Sequence, residues 1–79
     1  FDEFAHNAGT LTASEKNILR HYADGLDVQE AAEKAYISIH TVRKHNANIY
    51  QKLNVNSRDE LMLYIDLFRR CGRLNELLS

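Results

Sequence analysis

The chain has 79 residues, of which 44% are hydrophobic and 27% charged, and its formal net charge is −1. This length suits one small domain with a single core, and a single cysteine excludes a disulfide framework. No apolar run reaches the ~18 residues that a membrane-spanning helix needs and no signal peptide is present, so we predict a soluble, cytoplasmic protein.

The first ten residues show no sustained hydrophobic period. Asn7, Ala8 and Gly9 are typical of a loop, and the chain opens on Phe1 rather than on an initiating methionine. We therefore predict that residues 1–10 are a linker or a stub from a missing upstream domain, and that the domain itself spans residues 11–79. The alternative is that Phe1 and Phe4 pack on the domain or on the missing upstream module.

Two capping boxes mark the starts of the first two predicted helices. Thr12 pairs with Glu15 three residues later, and Asp27 pairs with Glu30 in the same way. Gly25 supplies the left-handed position at which the first helix can end. Together with the two segments that follow, and with no proline in the chain, these signals predict an all-α, compact four-helix bundle with helices at about residues 13–24, 28–35, 39–53 and 58–70.

The third helix has two unlike faces when it is wound at about 100° per residue. Ser38 is a good N-cap, and Val42, Ile49 and Leu53 fall in one narrow sector, with Asn46 at its edge. The opposite side carries Arg43, Lys44, Ala47, Asn48 and Gln51. Arginine and lysine donate to guanine, asparagine and glutamine pair with adenine, and alanine can contact a thymine methyl group. The alternative is a surface helix with a solvated basic face.

The charge distribution favours the first interpretation. A net charge of −1 taken alone argues against nucleic acid, but a DNA-binding surface is a local patch. Between Lys34 and Arg58 there are five cations and no carboxylate. A connection of three or four residues between the second and third helices is the spacing of a helix-turn-helix, whose second helix enters the major groove. DNA binding is therefore the leading hypothesis, with Arg43 and Lys44 as the first candidates for base contacts.

The fourth helix carries more apolar residues than one face can hold. Ser57 and Glu60 form a third capping box at its start, and Leu61, Ile65 and Phe68 point to one side. Leu63 and Leu67 lie about 140–160° away from them, with Leu74 in line if the helix continues. One stripe can serve the core, whereas the second needs a partner.

Residues from Leu11 to Leu67 share their order and spacing with a known family. They are Leu11-Thr12 with Glu15, Ile18-Leu19, Ala23-Asp24-Gly25, Ala32, Ile37-Ser38, Thr41-Val42-Arg43-Lys44-His45, Asn48-Ile49-Tyr50, Lys52-Leu53 and Ser57-Arg58. In these positions the chain resembles the LuxR/GerE-type (NarL/FixJ-type) helix-turn-helix domain. The resemblance implies a four-helix effector domain of a bacterial transcription regulator that binds promoter DNA.

The same resemblance implies individual roles. The third helix would read DNA, Thr41 and Lys52 would hold phosphates, and the fourth helix would dimerise through Leu63, Leu67 and Leu74. Asn46 departs from the family, which usually has an aliphatic residue there. If Asn46 is partly solvated, Asn46→Ile raises stability; if it is a satisfied polar link between helices, the same change lowers it.

No catalytic constellation is visible in the sequence. It has no glycine-rich phosphate loop and no nucleophile–histidine grouping, and its four scattered histidines lack the spacing of a zinc site, so neither an enzyme nor a cofactor is predicted. Two alternatives to DNA reading remain open. One is a helical protein-interaction adaptor whose functional surface is the second apolar stripe, with an idle basic helix. The other is a sigma-like domain that works mainly by contacting RNA polymerase.

Overall fold

Four capping side chains mark the starts of the four main helices in the computed structural model, which describes residues 2–78. Each is a hydroxyl or carboxylate that accepts a hydrogen bond from the backbone N–H three residues later, at 2.8–3.2 Å. Within this range the chain forms six helices and no strand: α1 (Asp2–Ala8), α2 (Ala13–Ala23), α3 (Val28–Ala35), α4 (Ile39–Leu53), α5 (Arg58–Arg70) and α6 (Asn75–Leu78).

The sequence predicted most of these boundaries. Both halves of the capping boxes of α2 and α3 are present, and Gly25 adopts a left-handed conformation with φ 90° just after α2. The predicted capping box of α5 is only half formed. The Ser57 hydroxyl accepts a hydrogen bond from the backbone N–H of Glu60. The Glu60 carboxylate, however, accepts from the backbone N–H of Asn56 instead of that of Ser57.

The core lies where α2, α4 and α5 meet. The predicted stripes point into it, and each of the following is at most 3% exposed: Ile18, Leu19, Tyr22, Val42, Ile49, Leu53, Leu61, Ile65 and Phe68. Ala31 and Ala32 of α3 are also buried, and their small side chains allow α3 to approach α4 closely. The predicted all-α helix-turn-helix bundle is therefore confirmed.

The prediction of an irregular linker is wrong for residues 2–8, which form α1. Phe4 is 6% exposed and stacks on Tyr64 of α5, with ring centroids 4.2 Å apart and planes 9° from parallel, and Ala8 is fully buried. These contacts with the rest of the domain stabilise a helix that is too short to persist alone. A link from this segment to an upstream domain stays a prediction.

The position at which α5 ends determines which leucines belong to the second apolar stripe. The helix stops at Arg70 and Gly72 follows with φ 70°, so Leu74 does not continue the line of Leu63 and Leu67. Leu74 is instead half-buried against the core, and Leu77 of the short α6 is fully buried. None of the helices within residues 2–78 combines the length and the apolar character needed to cross a membrane.

Candidate nucleic-acid interface

Helix α4 separates its buried and open sides as its sequence predicts. Val42 and Ile49 have no exposed surface. All five predicted base-contacting residues are exposed, and the helix geometry brings them to one side: Arg43, Lys44, Ala47, Asn48 and Gln51. The packing of the buried side against α2 and α3 leaves this side exposed.

His40 belongs to the same open side and was missed by the sequence reasoning. It is exposed in the first turn of α4 and stands four residues before Lys44 and eleven before Gln51. These intervals place the three residues along one line of an α-helix. The helical spacing of these three residues was the signal in the sequence. It shows that the open side of α4 begins one turn before Arg43.

The open side is electropositive. Neither Arg43 nor Lys44 forms an ion pair with any carboxylate of residues 2–78, and the first turn of α4 contains no acidic residue. Both cations therefore have all their hydrogen-bond donors available to a ligand.

Thr41 is partly occupied by the cap of α4. Its backbone N–H donates to the Ser38 hydroxyl at 3.1 Å, and the two hydroxyl oxygens are 3.0 Å apart. The side chain is half-buried at the edge of the open side. A phosphate oxygen that approached this turn would meet two hydroxyl groups already held in place.

Lys52 pairs with Glu15 of α2. The Lys52 Nζ lies 2.7 Å from Glu15 Oε1 and 3.4 Å from the carbonyl oxygen of Thr10, and the Glu15 side chain is only 4% exposed. Burial raises the pKa of Glu15, but hydrogen bonds from Lys52 and from the Thr12 backbone outweigh it, so that its pKa lies below the usual 4.5. The ammonium group thus ties the end of α4 to the start of α2.

Asn46 lies on the buried side of α4 and is 7% exposed. Its Oδ1 accepts a hydrogen bond of 2.7 Å from the hydroxyl of Tyr22 in α2, a residue with no exposed surface. Burial raises the pKa of Tyr22 above 10, so the hydroxyl stays protonated and remains a donor. Of the two alternatives for Asn46, the satisfied polar link between helices is the one that the structure contains.

A second surface lies on α5. Leu63 is 59% exposed and Leu67 is 37% exposed, whereas their neighbours Leu61 and Ile65 are fully buried. The pair is the apolar stripe that the sequence predicted to lie outside the core. Among residues 2–78, no three histidine, cysteine, aspartate or glutamate side chains converge as a metal site would require.

Comparison with known proteins identifies one matching family and several similar regulatory proteins. The family model described as "Bacterial regulatory proteins, luxR family" matches residues 9–65. The oxygen regulatory protein NreC of Staphylococcus carnosus is 36% identical, over 80% of this chain and 34% of that protein. The Fimbriae Z protein of Escherichia coli K12 is 40% identical, over 78% of this chain and 31% of that protein.

A third relative is the nitrate/nitrite response regulator protein homolog of Haemophilus influenzae. It is 43% identical, over 62% of this chain and 24% of that protein. The chain therefore spans about a third or less of the length of these relatives. No solved structure gave a significant match.

Proposed function

Because the chain belongs to the luxR family of bacterial regulatory proteins, we propose that it is the sequence-specific DNA-binding domain of a transcription regulator and works in the cytoplasm. The observation that carries this proposal is the open side of α4. It presents two side-chain amides and two cations that form no ion pair within residues 2–78, in a stretch of sequence free of carboxylates. One relative is named a response regulator, which supports a role as the effector domain of a protein of that kind.

The base sequence of the DNA would be read by α4, which would lie in the major groove. Arg43 and Lys44 donate to the O6 and N7 atoms of guanine, Asn48 and Gln51 pair with adenine, and Ala47 contacts a thymine methyl group. The N-terminal part of a recognition helix usually approaches the bases most closely. For that reason we add His40, in the first turn, to the base-contacting set.

Phosphate contacts would set the register of α4 on the duplex. Thr41 offers its hydroxyl beside that of Ser38, 3.0 Å away, at the helix N-terminus where anions are favoured. A phosphate role for Lys52 stays a prediction based on the family resemblance. In that role the Lys52 ammonium would bind Glu15 and a phosphate at the same time, since the side chain is one-third exposed and the ammonium has three donors.

Dimerisation would occur through the exposed Leu63 and Leu67 of α5. A single helix pair buries less than the ~1,200–2,000 Å² of a standard stable interface, so we expect the isolated domain to be monomeric or weakly dimeric. DNA would complete the assembly, with two copies of α4 in successive major grooves about 10 base pairs apart.

The test is a polarisation titration of a selected DNA site and of a random duplex at several salt concentrations. Arg43→Ala should weaken binding to the selected site by about 1–3 kcal/mol and relax preference at one base position. Arg70→Ala is the matched control, because it removes the same charge from an exposed position at the end of α5. It should leave the base preference unchanged.

Two outcomes would contradict the proposal. If Arg43→Ala weakens selected and random DNA equally, Arg43 contacts a phosphate and its assignment to a base is wrong. If no duplex is bound with the steep salt dependence of phosphate contacts, the chain does not bind DNA, and the exposed leucines of α5 then favour a protein-interaction adaptor.

A further inference from the structure

The buried side of α4 contains one polar link, the hydrogen bond between Asn46 and Tyr22. The two residues are 24 positions apart in the sequence and belong to different helices, and their oxygens lie 2.7 Å apart. Around this link α4 buries the aliphatic side chains of Val42, Ile49 and Leu53. An aliphatic pair would fill the same space without needing a hydrogen-bond partner. The polar pair therefore contributes a constraint that burial of apolar surface alone does not provide.

The constraint that the polar pair contributes is directional. Apolar contacts depend on buried area and are non-directional, so an aliphatic face constrains the roll of a helix about its own axis only through shape. A hydrogen bond requires a donor–acceptor distance of about 2.5–3.0 Å between hydroxyl and oxygen and weakens steeply as its angle departs from linear. Asn46 therefore fixes one point on the circumference of α4.

The roll of α4 decides which side chains meet the bases. The side-chain surface of a helix lies about 5–6 Å from its axis, so a roll of about 20° moves that surface by about 2 Å. A shift of this size exceeds the distance tolerance of a base-edge hydrogen bond. Contacts made by Arg43 and Lys44 would be lost or redirected, while a nonspecific attraction to phosphates would change little.

Tyr22 is itself held in place, which lets its hydroxyl act as a fixed reference. The guanidinium of Arg58, at the start of α5, lies 4.9 Å from the centroid of the Tyr22 ring. The same group donates a 2.9 Å hydrogen bond to the carbonyl oxygen of Leu26, just before α3. One arginine thus connects α5, the entry to α3 and the ring whose hydroxyl binds α4.

We propose that the Tyr22–Asn46 pair is a positioning device that sets the roll of α4 and with it the DNA sequence preference of the domain. Neither side chain would touch DNA in this arrangement, because Asn46 is buried on the side of α4 opposite Lys44 and Tyr22 is buried in α2. The proposal rests on the proposed function of α4 as the reading helix.

The experiment compares the wild-type chain with the double variant Tyr22→Phe/Asn46→Leu. Both polar groups are removed together, so no buried group is left unsatisfied and the core keeps nearly its original volume. The double variant should be folded, with a stability close to that of the wild type. Ile49→Val is the matched control, since it perturbs the same buried side of α4 without affecting a hydrogen bond.

Selectivity is the first measurement, taken as the ratio of the dissociation constants for random and selected duplexes. We expect this ratio to fall at least fivefold in the double variant and to stay unchanged in Ile49→Val. A double variant that is stably folded and fully selective would overturn the proposal. If the double variant does not fold, Tyr22→Phe alone, which removes one oxygen atom and keeps the ring under Arg58, is measured in the same way.

Residual dipolar couplings of the α4 amides, measured by NMR without DNA, report the orientation of the helix directly. They should differ between the wild type and the double variant and agree between the wild type and Ile49→Val; identical couplings in the double variant would overturn the proposal. If the wild-type chain binds no DNA, the proposed function fails, and these couplings still decide whether the pair sets the roll of α4.

Discussion

Replacing Lys52 by methionine should destabilise the domain by about 1–2 kcal/mol near pH 7. The change leaves the Glu15 carboxylate buried without the ammonium that lies 2.7 Å from it. Exposed ion pairs contribute about 0–1 kcal/mol, and breaking a fully buried pair costs about 3–5 kcal/mol. The expected value lies between them because Lys52 is 33% exposed and Glu15 keeps its 2.9 Å hydrogen bond from the Thr12 backbone.

The effect should depend on pH in a defined direction. In the wild type the pKa of Glu15 is held below 4.5, so its stabilising contribution is complete above that pH and is lost as the pH falls through the lower native value. Without Lys52, its hydrogen bond and its charge no longer lower the pKa of Glu15, so this pKa is higher in the variant than in the wild type. The destabilisation by Lys52→Met should therefore be largest near neutrality and shrink as the pH falls below about 4.5.

Urea unfolding followed by circular dichroism, at about pH 7 and about pH 3.5, measures both quantities. Lys44→Met is the matched control, since Lys44 is exposed and unpaired within residues 2–78 and should show little effect at either pH. Equal destabilisation by Lys52→Met at the two pH values would refute the reasoning, and so would a variant as stable as the control.

Three further predictions concern packing and assembly. Phe4→Ala should lower the free energy of unfolding by about 3 kcal/mol, because the ring is 6% exposed; a loss below about 1 kcal/mol in urea unfolding would mean that α1 adds little. Asn46→Ile should lower it by about 1–3 kcal/mol by leaving the Tyr22 hydroxyl unpaired, and a higher denaturation midpoint would contradict this. Leu63→Glu/Leu67→Glu should abolish cooperative binding to paired half-sites while sedimentation and single-site binding show a folded monomer; cooperative binding that persists in the variant would contradict this.

The helix starts could be predicted because their signals are local. A capping side chain and the backbone N–H that it binds are three residues apart, so Thr12, Asp27, Ser38 and Ser57 are readable without knowledge of the fold. The same reasoning failed for α1. Its residues carry weak local signals, and the ring of Phe4 finds its partner Tyr64 sixty positions away in the sequence.

The candidate interface shows the same division between local and distant information. Helical periodicity was enough to place Arg43 and Lys44 on the open side of α4. It identifies the face on which a residue lies but not its partner on another helix. For that reason the sequence did not show that Asn46 binds Tyr22 or that Lys52 binds Glu15, pairs separated by 24 and 37 positions.

The contacts of α1 also bear on the order in which the chain folds. Phe4 meets Phe68, with ring centroids 5.5 Å apart, and Asp2 lies 3.2 Å from Arg73, 71 positions along the sequence. Closing so long a loop carries the largest entropic cost of any contact described above, whereas capped helices and their near neighbours in sequence associate quickly. We therefore expect α1 to dock after the folding transition state, so that Phe4→Ala accelerates unfolding and leaves the folding rate almost unchanged.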